Sequence, residues 1–340
     1  MEPSSLFREN DIRPDHLMQG QAERFAADIR RLLQYKEQFV DVPCPACGSG
    51  NASTAFEKYE LNYAVCSDCG TIYINPRPTP AILDMYYATS ENYAYWNKCI
   101  FPASEEARRE MIFRPRAQRL AEICKRYNVQ TDVLLEVGAG FGTFCEEVQR
   151  IGLFRHVIAV EPTPGLADTC RQRGLDVIQK PIEQVHLERD SASVVASFEV
   201  LEHLFSPRDF LHSCASVVKP GGLLVITCPN IKGFDLVVLQ ASSNTIDVEH
   251  LNYFHAASLS HLTSECGFEV LEVTTPGRLD VELVRKKVLA GELDLSSQPF
   301  LRQILMEEYD RVGEVFQQFL AEHRLSSHMW LVARRPRVKA

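Results

Sequence analysis

Val133-Leu-Leu-Glu-Val-Gly-Ala-Gly-Phe-Gly-Thr-Phe144 is the stretch that decides the fold of this 340-residue chain. An apolar run ends at Glu136-Val137, then Gly138, Ala139, Gly140 and Gly142 follow, and Phe144-Cys-Glu-Glu-Val-Gln-Arg150 opens a helical pattern. The order is buried strand, glycine turn, helix. Such a turn lets the backbone approach a ligand closely and presents the unpaired N–H groups of a helix start to it. A dinucleotide fingerprint, Gly-x-Gly-x-x-Gly, would need its third glycine at position 143, but that residue is Thr143 and the glycine stands at 142.

Around this stretch the chain alternates strands and helices. Strands are expected at Val133–Val137, His156–Val160, Val177–Gln179, Ser193–Phe198 and Gly222–Thr227, short and β-branched as in a parallel sheet buried on both faces. Helical patterns separate them at Phe144–Ile151, Gly165–Arg173 and Asp209–Val218. A helix at Ala256–Cys266, closed by Gly267, precedes a strand at Glu269–Val273, and Met329–Ala333 reads as a closing strand. Seven strands in this alternation predict an α/β, doubly wound sheet. Upstream, residues 1–40 carry a helical stretch from Gln19 to Tyr35, 41–80 are loop-rich in Cys, Pro and Gly, and 81–130 read as a charged helical linker or lid. The sheet domain is expected to span 131–340, with a helical insertion at about 281–326.

The formal net charge of −9 gives no general attraction to polyanions, which sets extended nucleic-acid binding at a disadvantage. No apolar run approaches the roughly 20 residues needed to span a bilayer. The first residues, Met1-Glu-Pro-Ser-Ser-Leu-Phe-Arg8, lack the apolar core of a signal peptide, so a cytoplasmic location is expected.

The eleven cysteines fall into two groups. Cys99, Cys124, Cys145, Cys170, Cys214, Cys228 and Cys266 are scattered singly in apolar surroundings and are expected to be buried thiols. Cys44, Cys47, Cys66 and Cys69 form Cys-x2-Cys-x18-Cys-x2-Cys, which falls in the zinc-ribbon range. Four thiolates on two knuckles suit a tetrahedral Zn²⁺ and leave no open position, so the expected ion is structural. A redox pair or an iron–sulfur cluster are the alternatives.

His156-Val-Ile-Ala-Val-Glu161 ends in a carboxylate 19 residues after Gly142, where an acid can accept hydrogen bonds from both hydroxyls of a ribose. Ser193–Phe198 runs into Glu199-Val-Leu-Glu202-His203-Leu204, and Val218-Lys-Pro-Gly-Gly222 turns into Leu223-Leu-Val-Ile-Thr-Cys-Pro-Asn230. The Glu136-x-Gly-x-Gly-x-Gly loop resembles the first motif of class I S-adenosylmethionine (SAM) methyltransferases. Over roughly 131–275 the series resembles the ubiquinone-biosynthesis-like branch of that family. The resemblance implies a Rossmann-like methyltransferase sheet with SAM as cofactor. It implies Gly138, Ala139, Gly140 and Gly142 along the methionine part of SAM, Glu136 placing the amino group and Glu161 on the ribose. Adenine would lie near Pro162, Ile182 and Phe198-Glu199. Many relatives carry an Asp near position 181 for the adenine amino group; here it is Pro181, with Glu183 as a substitute.

Methyl transfer to an alcohol needs in-line alignment and a base near neutral pH. His203 and Glu202 follow the fourth strand, at the edge where open α/β sheets bind ligands. A second cluster, Glu249-His250-Leu-Asn-Tyr253-Phe-His255, lies over the acceptor pocket in similar proteins. His203, His250, Glu202 and Tyr253 are thus the candidate catalytic groups. Arg114 and Arg116, flanking Pro115, are either a solvated helix face or a clamp for an acceptor phosphate or carboxylate. His212, His261 and His323 sit on helical segments and are expected on the surface or in the core.

The ribbon, the SAM domain and the Glu-His-Leu-Asn-Tyr-Phe segment together resemble bacterial methyltransferases of surface-polysaccharide, deoxysugar and secondary-metabolite clusters. That implies a small, sugar-like acceptor. Sugar C-methyltransferases share the zinc-bearing N-terminus but carry a large C-terminal domain, and only about fifty residues, Val281 to His328, precede the last strand here. The expectation is therefore O-methylation of a sugar, nucleotide sugar or secondary metabolite. Sugar C-methylation, RNA methylation and a non-catalytic SAM-binding scaffold are the alternatives.

Overall fold

The protein is described by a computed structural model covering residues 7–185 and 187–337. The glycine-loop strand, Val133–Val137, is fourth in chain order. Before it come β1 (Ala52–Lys58), β2 (Leu61–Cys66) and β3 (Ile72–Ile74); it is β4. Then follow β5 (His156–Val160), β6 (Asp176–Ile178), β7 (Ala192–Phe198), β8 (Val218–Pro229), β9 (Asn252–Tyr253), β10 (Glu269–Thr274) and β11 (His328–Arg334). Seven of these form one sheet in the order β10-β11-β8-β7-β4-β5-β6. The pairs among β4 to β8 are parallel, whereas β11 runs antiparallel to both of its neighbours. The chain builds outward from β4 to β5 and β6, then returns to place β7 on the other side of β4. Beyond the carboxyl ends of β4 and β7 lies the crevice where open α/β sheets bind ligands.

The apolar runs become strands because both faces are covered. Leu134, Leu135, Val194, Val195 and Leu224 are fully buried, split between two core clusters on opposite sides of the sheet. Expected and observed strand limits differ most at β8. It begins at Val218, four residues before the expected start, because Gly221 and Gly222 continue into the ladder; Gly221 N–H donates to Arg335 O and Arg335 N–H to Gly222 O.

The four-cysteine segment forms a second sheet, β1-β2-β3-β9, antiparallel throughout. Its fourth strand comes from the segment after β8: Tyr73 faces Asn252 and Ile72 faces Tyr253. Cys44, Cys66 and Tyr73 share one core cluster with Phe210, Phe254 and Leu331. The ribbon is thus continuous in packing with the large sheet.

A nearly unbroken helical path runs from Glu91 to Arg126, with two π-type turns at Trp96–Ile100 and Arg109–Phe113. The helix Asp15–Leu33 lies against its beginning. Asp28, buried on that helix, accepts hydrogen bonds from Ser90 Oγ (2.7 Å), Glu91 N–H (3.0 Å) and Asn92 N–H (2.8 Å). A carboxylate reaching across from another helix therefore caps the start of the path, where exposed N–H groups carry partial positive charge. No helix among the described residues is long and apolar enough to cross a membrane.

Candidate active site

The three loop glycines are needed for different reasons. Gly138, Gly140 and Gly142 all have positive φ, at 80°, 56° and 74°. A Cβ on Gly138 would stand 2.4 Å from Val200 Cγ2, and one on Gly142 would stand 2.5 Å from Leu175 Cδ1. Nothing lies within 4 Å of where a Cβ on Gly140 would sit. The loop is therefore packed from behind at two points and open at the third, a cradle that only backbone lines. Its mouth joins a cavity of about 1510 Å³. That exceeds the roughly 300–1,000 Å³ of an ordinary small-molecule pocket, so there is room for a cofactor and an acceptor together.

Glu136, Gly138, Ala139, Gly140, Phe198 and Glu199 line this cavity at the loop end. Glu136 is buried, accepts the Cys145 thiol hydrogen at 2.9 Å and faces Arg116; burial pushes its carboxyl up to about 8. The Arg116 guanidinium covers the Phe198 ring at 4.3 Å and has no carboxylate within salt-bridge distance among the described residues. Glu199, at the end of β7, holds φ at 54°, a rare conformation for a non-glycine residue and a frequent one at binding sites. Its carboxylate accepts from Thr227 Oγ and lies 3.4 Å from His328 Nδ1.

Glu161 sits beside the loop but not on the cavity wall. Its carboxylate accepts from Gly140 N–H and Thr163 N–H, both at 2.8 Å, and burial pushes its carboxyl up. Two of about four lone-pair positions are used, which leaves capacity for a ribose hydroxyl. Gly142 caps the helix Thr143–Ile151. The two remaining adenine expectations fall elsewhere: Pro162 is exposed, and Ile182 packs into the main core cluster.

Just beyond Glu199, the short turn Leu201–His203 meets the segment 247–253. Glu202, Asp247, Glu249 and His250 line the cavity there. The His203 and His250 rings meet edge to face at 4.6 Å between centroids. Glu249 accepts from Tyr86 Oη at 2.8 Å and Asn92 Nδ2 at 3.2 Å; burial, and then Asp247, push its carboxyl up to about 7. Burial raises Glu202 well above the usual carboxylate range and holds His203 well below the usual imidazole range. Three of the four expected catalytic groups are thus brought together. Tyr253 touches this group only through its ring, 6.0 Å from that of His250 between centroids. As part of β9 its ring turns into the ribbon sheet beside Tyr63, and its hydroxyl is taken up by Asp247 N–H (3.0 Å) and Asp247 O.

This juxtaposition rests on a residue the sequence did not flag. Arg77 is fully buried and donates to Ile74 O, Phe205 O, Leu251 O and Asn252 Oδ1, all at 3.1–3.2 Å. Asn252 Nδ2 in turn donates to Glu202 O at 3.2 Å and Leu204 O at 2.8 Å. One guanidinium therefore ties the ribbon, the 201–205 turn and the 249–253 segment into one unit. The other arginine expectation divides. Arg114 pairs with Glu147 and Glu110, within a network that includes Arg109, Glu146 and Arg173, while Arg116 alone of the two points to the cavity wall beside Phe198.

The ribbon thiols are close enough for one ion. Cys44 Sγ and Cys69 Sγ stand 3.5 Å apart, as do Cys47 Sγ and Cys66 Sγ, and all four lie within 4.8 Å of one another. Zn–S bonds of about 2.3 Å in a tetrahedron would set sulfurs about 3.8 Å apart, so the cluster fits zinc. Both knuckles end on a glycine with φ of 75°, Gly48 and Gly70. His255 joins this module through Nε2, 2.8 Å from Cys69 O.

Residues 105–273 match the family model described as a methyltransferase domain. The chain carries a SAM-dependent methyltransferase domain of the class I fold. Among the relatives of this methyltransferase, a ubiquinone biosynthesis O-methyltransferase of Maricaulis maris is 33% identical over 117 residues, 32% of this chain and 45% of that protein. A protein of Mycolicibacterium smegmatis, named as a SAM-dependent methyltransferase, is 28% identical over 165 residues, 48% of this chain and 58% of its own. The chain thus spans about half the length of the curated relatives it matches. A more distant likeness is to phosphoethanolamine N-methyltransferase 2 of Haemonchus contortus, solved with SAM. Its TM-score is 0.45 at 17% identity, covering 65% of this chain and 52% of that one.

Proposed function

We propose that this methyltransferase moves the methyl group of SAM to a hydroxyl of a small polyhydroxylated acceptor, a sugar, nucleotide sugar or secondary metabolite. One observation carries the reading: a single cavity is lined both by the glycine cradle and by Glu202, Glu249 and His250. When bound, SAM supplies a methyl on a sulfonium that departs as a neutral thioether. The protein's task is alignment, because in-line displacement gains most from holding the reacting atoms in place.

In this proposal Gly138, Ala139, Gly140 and Gly142 cradle the methionine part, Glu136 takes the amino group, and Arg116 takes the carboxylate. Glu161 holds the ribose. Beyond the cradle, the carboxylates of Asp247 and Glu249 on the same cavity wall orient the acceptor hydroxyls. As the oxygen lone pair forms the new C–O bond, the hydroxyl proton leaves toward the Glu202–His203–His250 cluster. Residues of the helix Asp15–Leu33, together with Trp96 and Phe101, line the same cavity. The four ribbon thiols hold a structural zinc, and the ribbon at 41–80 serves as a fixed wall for the domain that begins near 131. A phenolic hydroxyl is the second acceptor class, favoured by the likeness to the Maricaulis ubiquinone biosynthesis O-methyltransferase.

The test is a SAM-consumption screen over sugars, nucleotide sugars, catechols and RNA, with zinc measured in the same preparation. Methylation of a sugar-type hydroxyl supports the reading. Methylation of RNA with every small molecule inert would overturn it.

A further inference from the structure

The cavity wall carries more positive charge than the carboxylate of SAM would take up. On the helical path from Glu91 to Arg126, Arg108, Ile112, Arg116 and Arg119 line the cavity, spaced so that they share one face. Arg278, exposed in the loop after β10, joins them: its Nη1 donates to Met111 O at 3.1 Å. At the start of that loop Arg119 Nη2 donates to Thr274 Oγ1 at 2.7 Å, so the segment 274–278 lies along the arginine-bearing stretch. None of these four guanidiniums has a carboxylate within salt-bridge distance among the described residues. Two acids on the same wall are engaged elsewhere, Glu272 by Arg126 and Glu105 by Arg109 and Arg173.

Aromatic rings and neutral acceptors hold these groups instead. Arg108 lies 4.6 Å from the Phe101 ring centroid and donates to Ser104 Oγ and Ile12 O. Arg119 lies 4.6 Å from the Trp330 ring centroid, and Arg278 lies 4.5 Å from that of Phe7. Each keeps most of its N–H donors beyond these bonds. Burial, and then the charges of Arg13 and Arg116, push Arg108 down to about 9, and burial also lowers Arg116, Arg119 and Arg278. All four stay charged at neutral pH even so. Like charges gathered on one partly desolvated wall destabilise the bare chain, and a bound anion relieves them.

SAM brings one carboxylate, which Arg116 takes in the reading above. We propose that Arg108, Arg119 and Arg278 form an anion site beside it that holds a phosphoryl group of the acceptor. Guanidinium forks match phosphate oxygens, and a phosphoryl group offers charge and acceptors to more than one of them, whereas a carboxylate satisfies a single fork. The row borders the strand end next to the cradle: Arg116 covers Phe198 at the end of β7, and Trp330, the ring that Arg119 covers, lies 5.7 Å from Phe198. A neutral sugar or a catechol would leave the row uncompensated. The acceptor class thereby narrows to a sugar phosphate or a nucleoside diphosphate sugar. A polynucleotide is a poorer match, because its backbone needs a basic track along the surface, and these arginines line a cavity in a chain of formal net charge −9. The narrowing rests on the methyl-transfer reading; the anion site itself does not.

The test is calorimetric titration of the full chain with inorganic pyrophosphate, alone and after saturation with S-adenosylhomocysteine. One equivalent should bind in both states, more weakly as salt rises. Arg119→Gln and Arg278→Gln should each weaken it about tenfold, the loss of one charge-assisted hydrogen bond, with SAM affinity and circular dichroism unchanged. Uridine diphosphate and glucose 1-phosphate, titrated in the same way, separate the two sources of the phosphoryl group: the tighter ligand names the acceptor's class. No binding to the unaltered chain, binding that S-adenosylhomocysteine abolishes, affinity that survives both substitutions in folded protein, or binding of an RNA oligonucleotide alone would overturn the proposal. Arg278 is exposed, so its variant still decides the matter if Arg119→Gln fails to fold. SAM affinity, measured on the same samples, keeps the two readings apart: pyrophosphate bound without SAM sinks methyl transfer alone, and SAM bound without pyrophosphate sinks the anion site alone.

Discussion

Replacing Glu136 by Gln should make the ligand-free protein more stable and its cofactor binding worse. In the folded chain burial raises this carboxyl from an ordinary 4.5 to about 8. Between those values the folded chain keeps a proton that the unfolded chain gives up, so stability falls as pH rises through that window. Each pH unit is worth about 1.4 kcal/mol, so at pH 7.5 the penalty approaches roughly 4 kcal/mol, less whatever water entering the cavity relieves. Glu136→Gln removes this term and can still accept the Cys145 thiol hydrogen. It should therefore gain roughly 2–4 kcal/mol at pH 7.5 and almost nothing at pH 4.5. A neutral amide cannot pair with the amino group of SAM, and affinity should fall about 10- to 100-fold, a loss in line with one charge-assisted hydrogen bond. For the unaltered protein, SAM affinity should rise up to about tenfold per pH unit until pH 8, because binding must first remove the proton. Urea unfolding and calorimetric SAM titration across pH 5 to 8.5 test both halves. Equal stability of the two proteins at pH 7.5 would refute the burial argument, and equal SAM affinity would refute the role of Glu136.

Arg77→Met leaves four buried acceptors without their donor and should cost about 3–5 kcal/mol in urea unfolding; a loss under 1 kcal/mol would show that the clamp is not holding the site together. Gly138→Ala must fit a Cβ 2.4 Å from Val200 at positive φ, so SAM binding should weaken more than tenfold with the circular dichroism retained; near-normal affinity would contradict the packed cradle. Arg116→Ala should raise the Kd for SAM while leaving the fold intact, and an unchanged Kd would remove it from the cofactor's binding groups. With zinc held by the ribbon thiols as proposed, chelating it should speed amide exchange in 52–74 and also in 249–255, because β3 pairs with β9; exchange confined to the ribbon would show the two to be uncoupled.

What could be read from the sequence follows from where the determining contacts lie. The large sheet was legible because its strands are buried on both faces, so Leu134-Leu135 and Val194-Val195 announce themselves as continuous apolar pairs. The glycine cradle was legible for a similar reason, since positive φ beside a tight neighbour admits only glycine. The small sheet was only half legible. Its last strand is two residues long, and no periodicity can be seen in two residues. That is why Tyr253 looked like an active-site group: the segment around it is dense in polar side chains, and only pairing with β3 shows that Tyr253 turns inward. Arg114 and Arg116 illustrate the same limit on a helix. Two residues apart, they point to different sides, and the sequence does not say which side meets Glu147 and which meets the cavity. Asp28, Arg77 and Asn252 act between segments far apart in the chain, so nothing local marks them.

The shared strand pairing between the ribbon and the segment that carries Glu249 and His250 bears on how such proteins diversify. A module that merely hangs from an enzyme can be exchanged for another without altering what the enzyme accepts. Here the ribbon and the proposed acceptor wall share one sheet, so a graft of residues 41–80 from a relative would import mismatched hydrogen bonds at Arg77, Tyr73 and Asn252. Inheritance of acceptor choice in this lineage is thus expected to travel with the pair, ribbon and 249–255 segment together, and a chimera that moves only one of them should lose both partners' specificity.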